Sequence, residues 1–180
     1  MPFILLVAGP NGAGKTSFAT HLLARAPTAK FVNADDIARV LPNDLDPRKR
    51  DLKAARDMIA TLRALVADQK DIILETTLSG HSYLQAIPAW RLAGYEVDLH
   101  YLRLEDADAS LARVRKRVTQ GNPPGHDIPE DVVRRRFPRS LERFEECKSL
   151  VDRWYLYDSL DGRFVAVLSG ERYGPETEPR

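Results

Sequence analysis

The feature that most constrains this chain is a glycine-rich segment between an apolar run and a helical pattern. Gly9-Pro10-Asn11-Gly12-Ala13-Gly14-Lys15-Thr16 fits the pattern G-x-x-x-x-G-K-[ST] at every position. The preceding residues, Phe3 to Ala8, are all apolar, which is typical of a strand buried on both faces of a parallel sheet. Residues 15–25 have helical spacing. The order strand, glycine loop, helix predicts an α/β fold with the loop at the carboxyl edge of its sheet.

A loop of this kind binds the phosphates of a nucleotide. Its glycines let successive backbone N–H groups turn toward a phosphate, and the positive end of the next helix faces the anion. In this pattern Lys15 reaches the β- and γ-phosphates, and the Thr16 hydroxyl is a magnesium ligand. The sequence therefore predicts ATP and Mg²⁺ as cofactors, bound by residues Gly9, Pro10, Asn11, Gly12, Ala13, Gly14, Lys15, Thr16 and Ser17. The alternative interpretation is a glycine-rich turn that serves packing only.

The rest of the chain alternates strand and helix patterns. Strands are predicted at 31–33, 71–75, 95–103, 154–158 and 164–168, and helices at 48–69, 83–93, 107–119 and from 129 onward. This alternation predicts a P-loop NTPase or kinase fold: a mostly parallel, doubly wound sheet with flanking helices and a C-terminal hairpin. We expect one domain over residues 1–170, with a basic helical lid at about 106–145 and a frayed tail at 171–180.

Composition excludes several other classes of protein. The 180 residues are 43% hydrophobic and 29% charged, as in ordinary soluble globular proteins, with a net charge of +1 that favours neither nucleic acid nor a membrane. The single cysteine, Cys147, excludes an intrachain disulfide and a cysteine-rich metal site. The apolar run at the start is too short to span a membrane and lacks a cleavage pattern, so we expect a cytoplasmic protein.

Several polar residues follow predicted strands, where ligands bind in such sheets. Asp35 and Asp36 come just after the second strand, and either could take the proton of an acceptor hydroxyl or cap the following helix. Glu75 ends the third strand and could orient a magnesium-bound water, grip an acceptor, or serve as an ordinary loop residue. Thr76 and Thr77 beside it could line the acceptor pocket, or favour the strand as β-branched residues.

The segment from Arg113 to Arg143 contains nine basic and four acidic residues, a local excess hidden by the near-zero net charge. A basic lid would stabilise charge on a transferring phosphoryl group, so a few of these side chains are expected to touch phosphate. A buried stripe of the second helix is predicted at Val133, Phe137, Leu141 and Phe144. Arg136 adjoins this stripe, so it is the member of the triplet Arg134–Arg136 that we expect to point inward. His126 lies in the loop before this helix. The alternatives are a solvated helix face or nucleic-acid contact.

The remaining patterns favour a kinase over other nucleotide-using proteins. The N-K-x-D sequence typical of guanine-specific switches is absent, and the third strand ends in a lone Glu75 rather than the Asp or Asp-Glu of motors and transporters. Small size and a basic helix–loop–helix fit a phosphotransferase with a lid. Two alternatives stay open: a nucleoside, nucleotide or polynucleotide 5′-kinase, and a non-catalytic nucleotide-binding regulator.

Taken together, four segments resemble the short zeta-toxin-like kinases over about residues 3–168. They are the glycine-rich loop, Asn33-Ala34-Asp35-Asp36-Ile37, Glu75-Thr76-Thr77-Leu78-Ser79-Gly80, and Gly125-His126-Asp127-Ile128-Pro129 with the following Arg134-Arg135-Arg136-Phe137-Pro138-Arg139-Ser140-Leu141. Zeta toxins are P-loop kinases of toxin–antitoxin systems, and the best-known members phosphorylate the 3′-hydroxyl of UDP-N-acetylglucosamine with ATP. The resemblance implies that activity, with an antitoxin protein as a candidate partner and no membrane attachment; nucleic acid enters only as a 5′-end substrate.

The resemblance also implies roles for individual residues. The catalytic aspartate falls on Asp35, which leaves Asp36 as the helix cap, and the first lid arginine falls on Arg117. The resemblance places Lys15 at the phosphate-binding position, Thr16 at the metal-binding position and Glu75 at the acidic position after the third strand. Two departures concern the acceptor: no arginine follows Glu75 within Thr76–Gly80, and His126 stands near the place of the second lid arginine, for which the candidates are Arg134, Arg135, Arg136 and Arg139.

Overall fold

A computed structural model describes residues 1–33, 37, 47–119, 128–160, 162–172, 174, 177 and 178. The strands are β1 (Phe3–Ala8), β2 (Lys30–Asn33), β3 (Ile72–Thr76), β4 (Glu96–Arg103), β5 (Arg153–Leu160) and β6 (Arg163–Glu171). The helices are α1 (Lys15–Arg25), α2 (Pro47–Ala67), α3 (Ser82–Leu92), α4 (Ala107–Thr119) and α5 (Glu130–Lys148). Asp35, Asp36 and His126 lie outside the described residues.

The strands form one sheet in the order β2-β3-β1-β4-β5-β6. The first five are parallel, and β6 pairs antiparallel with β5 as the closing hairpin. The chain leaves β1 toward one side of the sheet and leaves β4 toward the other. The neighbouring carboxyl ends of β1 and β4 therefore form a switch point, the place where open α/β sheets bind ligands. The predicted mostly parallel α/β fold is confirmed.

Helices cover both faces of the sheet. The apolar side chains of α2, α3 and α5 pack on one face, for example Leu62, Ile87 and Phe144. The other face packs against α1 through Phe18 and Ala19. Residues of both faces of β1, β3 and β4 are buried. β1 has the continuous apolar sequence that predicted this burial, and β3 is apolar from Ile72 to Leu74. β4 differs because it alternates apolar residues with Glu96, Asp98 and His100.

The buried stripe of α5 differs from the predicted one. Val133 and Phe144 are buried, but Leu141 is 40% exposed, and Ser140 is completely buried instead. The expected stripe was assigned from apolar residues alone, whereas the helix also buries a serine that has polar partners. The prediction for Leu141 is therefore wrong, and Ser140 takes its place in the interior.

The C-terminal hairpin is longer than predicted. Its strands extend to residues 153–160 and 163–171, and the backbone of Thr177 pairs with that of Ser169 through two hydrogen bonds of 2.8 Å. The domain boundary at 170 and the fraying of the tail stay predictions.

One aromatic cluster on the α1 face encloses a histidine. The His100 ring stacks on Tyr155 at a centroid distance of 4.8 Å, and its Nδ1 lies 3.1 Å from the hydroxyl of Tyr157. Burial, together with the positive charge of Arg153, lowers the pKa of His100 from 6.5 to about 4. The folded protein thus keeps this imidazole neutral at a pH where the unfolded chain is protonated.

This cluster predicts a pH-dependent loss of stability. Since the pKa of His100 is lower in the folded state, the unfolded chain binds more protons below pH 6.5. We expect the free energy of unfolding to fall by up to about 3 kcal/mol as the pH drops from 6.5 to 4. His100→Gln, which cannot titrate, should flatten this slope in urea titrations at each pH. If the free energy of unfolding of the variant depended on pH as it does in the wild-type protein, His100 would not be the group responsible.

Candidate active site

The glycine-rich loop follows β1 directly at the switch point of the sheet. Gly9 has a φ of +146°, and a Cβ at this position would lie 2.4 Å from the carbonyl oxygen of Leu102 in the neighbouring strand β4. A side chain has no space there, and the backbone conformation strongly favours glycine. Gly9 therefore lets the loop leave the sheet beside the end of β4.

The loop also packs closely against α4. A Cβ at Gly12, whose φ is +78°, would lie 3.0 Å from both the Cβ of Arg113 and the carbonyl oxygen of Ser110. The Ser110 hydroxyl donates to the carbonyl oxygen of Asn11 at 2.6 Å. Arg113 in turn donates to the hydroxyl and the carbonyl oxygens of Ser159, both at 2.8 Å. The first turns of α4 thus join the loop to the end of β5.

The loop ends in the two side chains predicted to contact phosphate and metal. Lys15 is 8% exposed, and its Nζ donates to the carbonyl oxygen of Pro10 at 2.9 Å. The ammonium group is therefore held against the backbone of the loop itself. Thr16 and Ser17, the first-turn residues of α1, are exposed.

Glu75 connects the ends of three neighbouring strands. Its carboxylate is 8% exposed and accepts hydrogen bonds from the Thr16 hydroxyl at 2.9 and 3.1 Å and from the Asn33 amide at 3.1 Å. In the sheet register Glu75 stands opposite Val7 of β1 and Asn33 of β2, which brings these groups to one edge. Thr16 and Glu75, predicted separately, therefore meet in the fold.

This donor set suits a hard cation. A threonine hydroxyl, a carboxylate and an amide oxygen are the oxygen ligands that Mg²⁺ prefers, and Mg²⁺ commonly uses few protein ligands beside substrate phosphates. Among the described residues, no group of three or more His, Cys, Asp or Glu side chains could hold a metal ion. A magnesium site here would depend on Thr16, Glu75 and bound phosphate together.

The loop after β3 is held in a strained conformation. Leu78 is completely buried and has a φ of +54°, which non-glycine residues adopt only at an energetic cost. The Thr76 hydroxyl accepts a hydrogen bond from the Leu78 N–H at 2.9 Å, and the Thr77 and Ser79 hydroxyls lie 3.1 Å apart. The Thr76 hydroxyl thus stabilises the backbone of the loop, whereas the Thr77 hydroxyl pairs with the side chain of Ser79.

The basic residues of α4 and α5 have different surroundings. Arg115 and Arg134 form ion pairs with Glu130 at 2.8 and 2.9 Å, and Arg134 also pairs with Asp108. Arg135 is exposed and Arg136 is partly buried. Arg117 differs because its Nε is buried and has no hydrogen-bond partner within the described part of the chain. Arg143 also has a buried Nε without a partner there, but its terminal nitrogens pair with Glu142 and Glu146. Arg117 is therefore the stronger candidate for an arginine that donates to a ligand.

Reasoning from the sequence missed three polar residues of this region: Asn33, Ser110 and Ser140. Asn33 ends its strand, and that position was a signal of the same kind as the one that identified Glu75. The two serines have no local signal, since their partners are 99 and 63 residues away. Asp35 and His126 fall in the segments that are not described, so their roles stay predictions. Within the described residues, no helix is long and apolar enough to cross a membrane.

The contact of Gly12 with α4 predicts a specific defect in nucleotide binding. Gly12→Ala should weaken binding of a fluorescent ATP analogue by about tenfold or more, because the loop must move away from α4. Gly162→Ala is the matched control, since Gly162 has a similar φ of +85° but no atoms within 4 Å of the position that the added methyl group would take. Both variants should lose about 1 kcal/mol of stability from backbone strain. Equal nucleotide affinity in the two variants would contradict this interpretation.

Solved structures with the same fold include two from paired protein systems. A chain of the PezAT chromosomal toxin–antitoxin system of Streptococcus pneumoniae superimposes with a TM-score of 0.71 at 18% identity, covering 92% of this chain and 71% of that one. The AvrRxo1-ORF1:-ORF2 structure with ATP gives a TM-score of 0.75 at 17% identity, covering 99% of this chain and 60% of that one. A chain of the Pnkp1/Rnl/Hen1 RNA repair complex gives 0.64 at 20% identity, covering 81% and 46%. These likenesses establish a P-loop kinase-like fold.

Two sequence comparisons match most of this chain. An uncharacterised protein of Haemophilus influenzae is 29% identical over 133 residues, which cover 74% of this chain and 91% of that protein. The profile of the AAA_33 family, described as an AAA domain, matches residues 4–147, from β1 almost to the end of α5. This chain therefore belongs to the AAA_33 family of P-loop proteins.

Proposed function

We propose that this protein is an ATP-dependent kinase, which transfers the γ-phosphoryl group of ATP to a hydroxyl group of a small acceptor. The observation that carries the proposal is the convergence of Lys15, Thr16 and Glu75 at the carboxyl edge of the sheet, next to a loop packed against α4, the helix that also carries Arg117. A phosphotransferase needs positive charge, a metal site and an oriented hydroxyl more than it needs covalent chemistry. Each of these requirements has a candidate residue here.

The proposed roles follow from the chemistry of each group. Lys15 and the backbone N–H groups of the loop bind the phosphates, and Arg117 stabilises charge on the transferring group. Asp35 accepts the proton of the acceptor hydroxyl as the acceptor oxygen bonds to the γ-phosphorus and the bond to ADP breaks. Thr16 and Glu75 would hold Mg²⁺, which would neutralise negative charge on the phosphates.

Two acceptor classes are supported. The resemblance to zeta-toxin-like kinases favours a UDP-N-acetyl sugar as the first acceptor to test, and the fold shared with a chain of a toxin–antitoxin system agrees with that resemblance. The fold shared with a chain of an RNA repair complex favours the second candidate, the 5′-hydroxyl end of an RNA. The proposed contacts to either acceptor are Thr76, Thr77, Arg135 and His126, with Glu75 at the strand end. Arg136 is proposed to stabilise the transferring phosphoryl group together with Arg117.

We also infer a protein partner of the antitoxin type. Similar folds occur in the PezAT toxin–antitoxin system and in the paired AvrRxo1-ORF1:-ORF2 proteins, which supports this inference. The same likenesses support a site that takes ATP, because one of those structures was determined with ATP.

The assignment of the base gives a direct prediction. Asp35→Asn should keep ATP affinity within about twofold and reduce phosphoryl transfer by about two orders of magnitude or more, since a general base contributes roughly 10²- to 10⁴-fold. Asp36→Asn is the matched control and should retain transfer, because its proposed role is to cap a helix. Transfer is measured with radiolabelled ATP, and affinity with a fluorescent analogue. A fully active Asp35→Asn protein would exclude Asp35 as the base.

The acceptor is tested by offering UDP-N-acetylglucosamine, nucleosides and 5′-hydroxyl RNA side by side with labelled ATP. A labelled product that disappears in Lys15→Ala identifies the acceptor class. ATP binding without transfer to any of them, or to a wider metabolite mixture, would instead favour a nucleotide-binding regulator and overturn the kinase proposal.

A further inference from the structure

Two completely buried serines join the lid helices to opposite sides of the site. Ser110 of α4 donates to the carbonyl oxygen of Asn11 in the glycine-rich loop, and Ser140 of α5 donates to the carbonyl oxygen of Thr77 after β3. Both bonds are 2.6 Å long, and both serines are 0% exposed. One helix is thus attached to the nucleotide side of the site and the other to the proposed acceptor side.

The bond at Ser140 belongs to a short directional chain. The Thr77 carbonyl only accepts, so Ser140 uses its single proton there, and the Tyr101 hydroxyl, 3.0 Å away, donates to Ser140. Burial raises the pKa of Tyr101 to about 12, so its hydroxyl stays protonated at neutral pH. The chain runs from the centre of the sheet through α5 to the loop.

The loop that Ser140 contacts contains a strained residue, so its conformation depends on hydrogen bonds from its surroundings. Leu78, the next residue after Thr77, has a left-handed backbone conformation although it carries a branched side chain. Strain of this kind persists only where the surroundings hold it, and it concentrates at functional sites. Removing the Ser140 hydroxyl would leave the Thr77 carbonyl without this donor beside the strained residue.

The ion pairs between the two helices are exposed. Arg115–Glu130 and Arg134–Asp108 bridge α4 and α5, but the arginine side chains are 70% and 49% exposed. Exposed ion pairs contribute little to stability and are screened by salt. We therefore expect the buried serine bonds to hold each helix to its loop more firmly than these ion pairs hold the helices to each other.

We propose that Ser140 is a positioning residue, which sets the conformation of the acceptor loop Thr76–Ser79, and that Ser110 has the corresponding role for the nucleotide loop. The assignment of Thr76–Ser79 to the acceptor rests on the proposed kinase function. The coupling of each helix to its loop does not depend on that function. The two serines act separately: loss of Ser140 affects acceptor binding, and loss of Ser110 affects nucleotide binding.

The test compares Ser140→Ala with Ser110→Ala, a pair matched in size, burial and bond length. Ser140→Ala should raise hydrogen–deuterium exchange in peptides covering residues 75–80 and raise the acceptor KM by about tenfold, while affinity for a fluorescent ATP analogue stays within about twofold. Ser110→Ala should give the reverse, with faster exchange over residues 9–16 and about tenfold weaker nucleotide binding. Should Ser140→Ala fail to fold, Ser140→Cys, close in volume with a weak donor, replaces it.

Exchange and nucleotide affinity are measured without any acceptor, so they judge the coupling even if no phosphoryl transfer is found. Transfer that fails in the wild-type protein overturns the kinase proposal alone. Equal effects of both substitutions on both loops, or no local effect of either, would overturn the proposal that each serine positions its own side of the site.

Discussion

The site depends on how closely the glycine-rich loop approaches its neighbours. Gly9 lies against the backbone of Leu102, where a Cβ has no space, and Gly12 lies against α4, where a Cβ would be in tight contact at 3.0 Å. These contacts determine where the loop stands relative to β4, and therefore where α1 begins and where its positive end points. The same contacts explain why α4, which follows β4, is the helix beside the nucleotide loop. The position of the lid is thus a consequence of the switch point in the sheet.

On the other side of β1, Glu75 holds the first turn of α1 to the ends of β2 and β3. A carboxylate that is 8% exposed needs compensating donors, and here the Thr16 hydroxyl and the Asn33 amide supply them. The carboxylate stands next to the end of the phosphate loop, where it would meet a divalent cation bound to phosphate.

The sequence predicted the parts of this structure that depend on local patterns. The glycine-rich loop, the buried strands and the antiparallel hairpin have periodicities or fixed spacings, and the structure confirms them. Contacts between residues far apart in the chain have no such signal. The bonds Ser110–Asn11, Arg113–Ser159 and Asn33–Glu75 join residues separated by 99, 46 and 42 positions, so they follow only from the packed fold. The exposure of Leu141 has the same origin, because the interior of α5 includes the polar Ser140.

The distribution of charge in the lid separates its basic residues by function. A long exposed side chain such as Arg115 or Arg134 can find a carboxylate on the neighbouring helix, and both do. Such pairs orient α4 and α5 against each other, and they also neutralise charge that a phosphate would otherwise attract. A buried guanidinium Nε without a partner is costly to maintain unless a ligand supplies the acceptor. Arg117 stands seven residues, about 10 Å of helix rise, beyond the attachment of α4 at Ser110. The near-zero net charge therefore conceals two kinds of basic residue in this segment. Arg115 and Arg134 are paired with carboxylates, whereas Arg117 has a buried Nε without a partner within the described residues and is the donor that we propose for an anionic ligand.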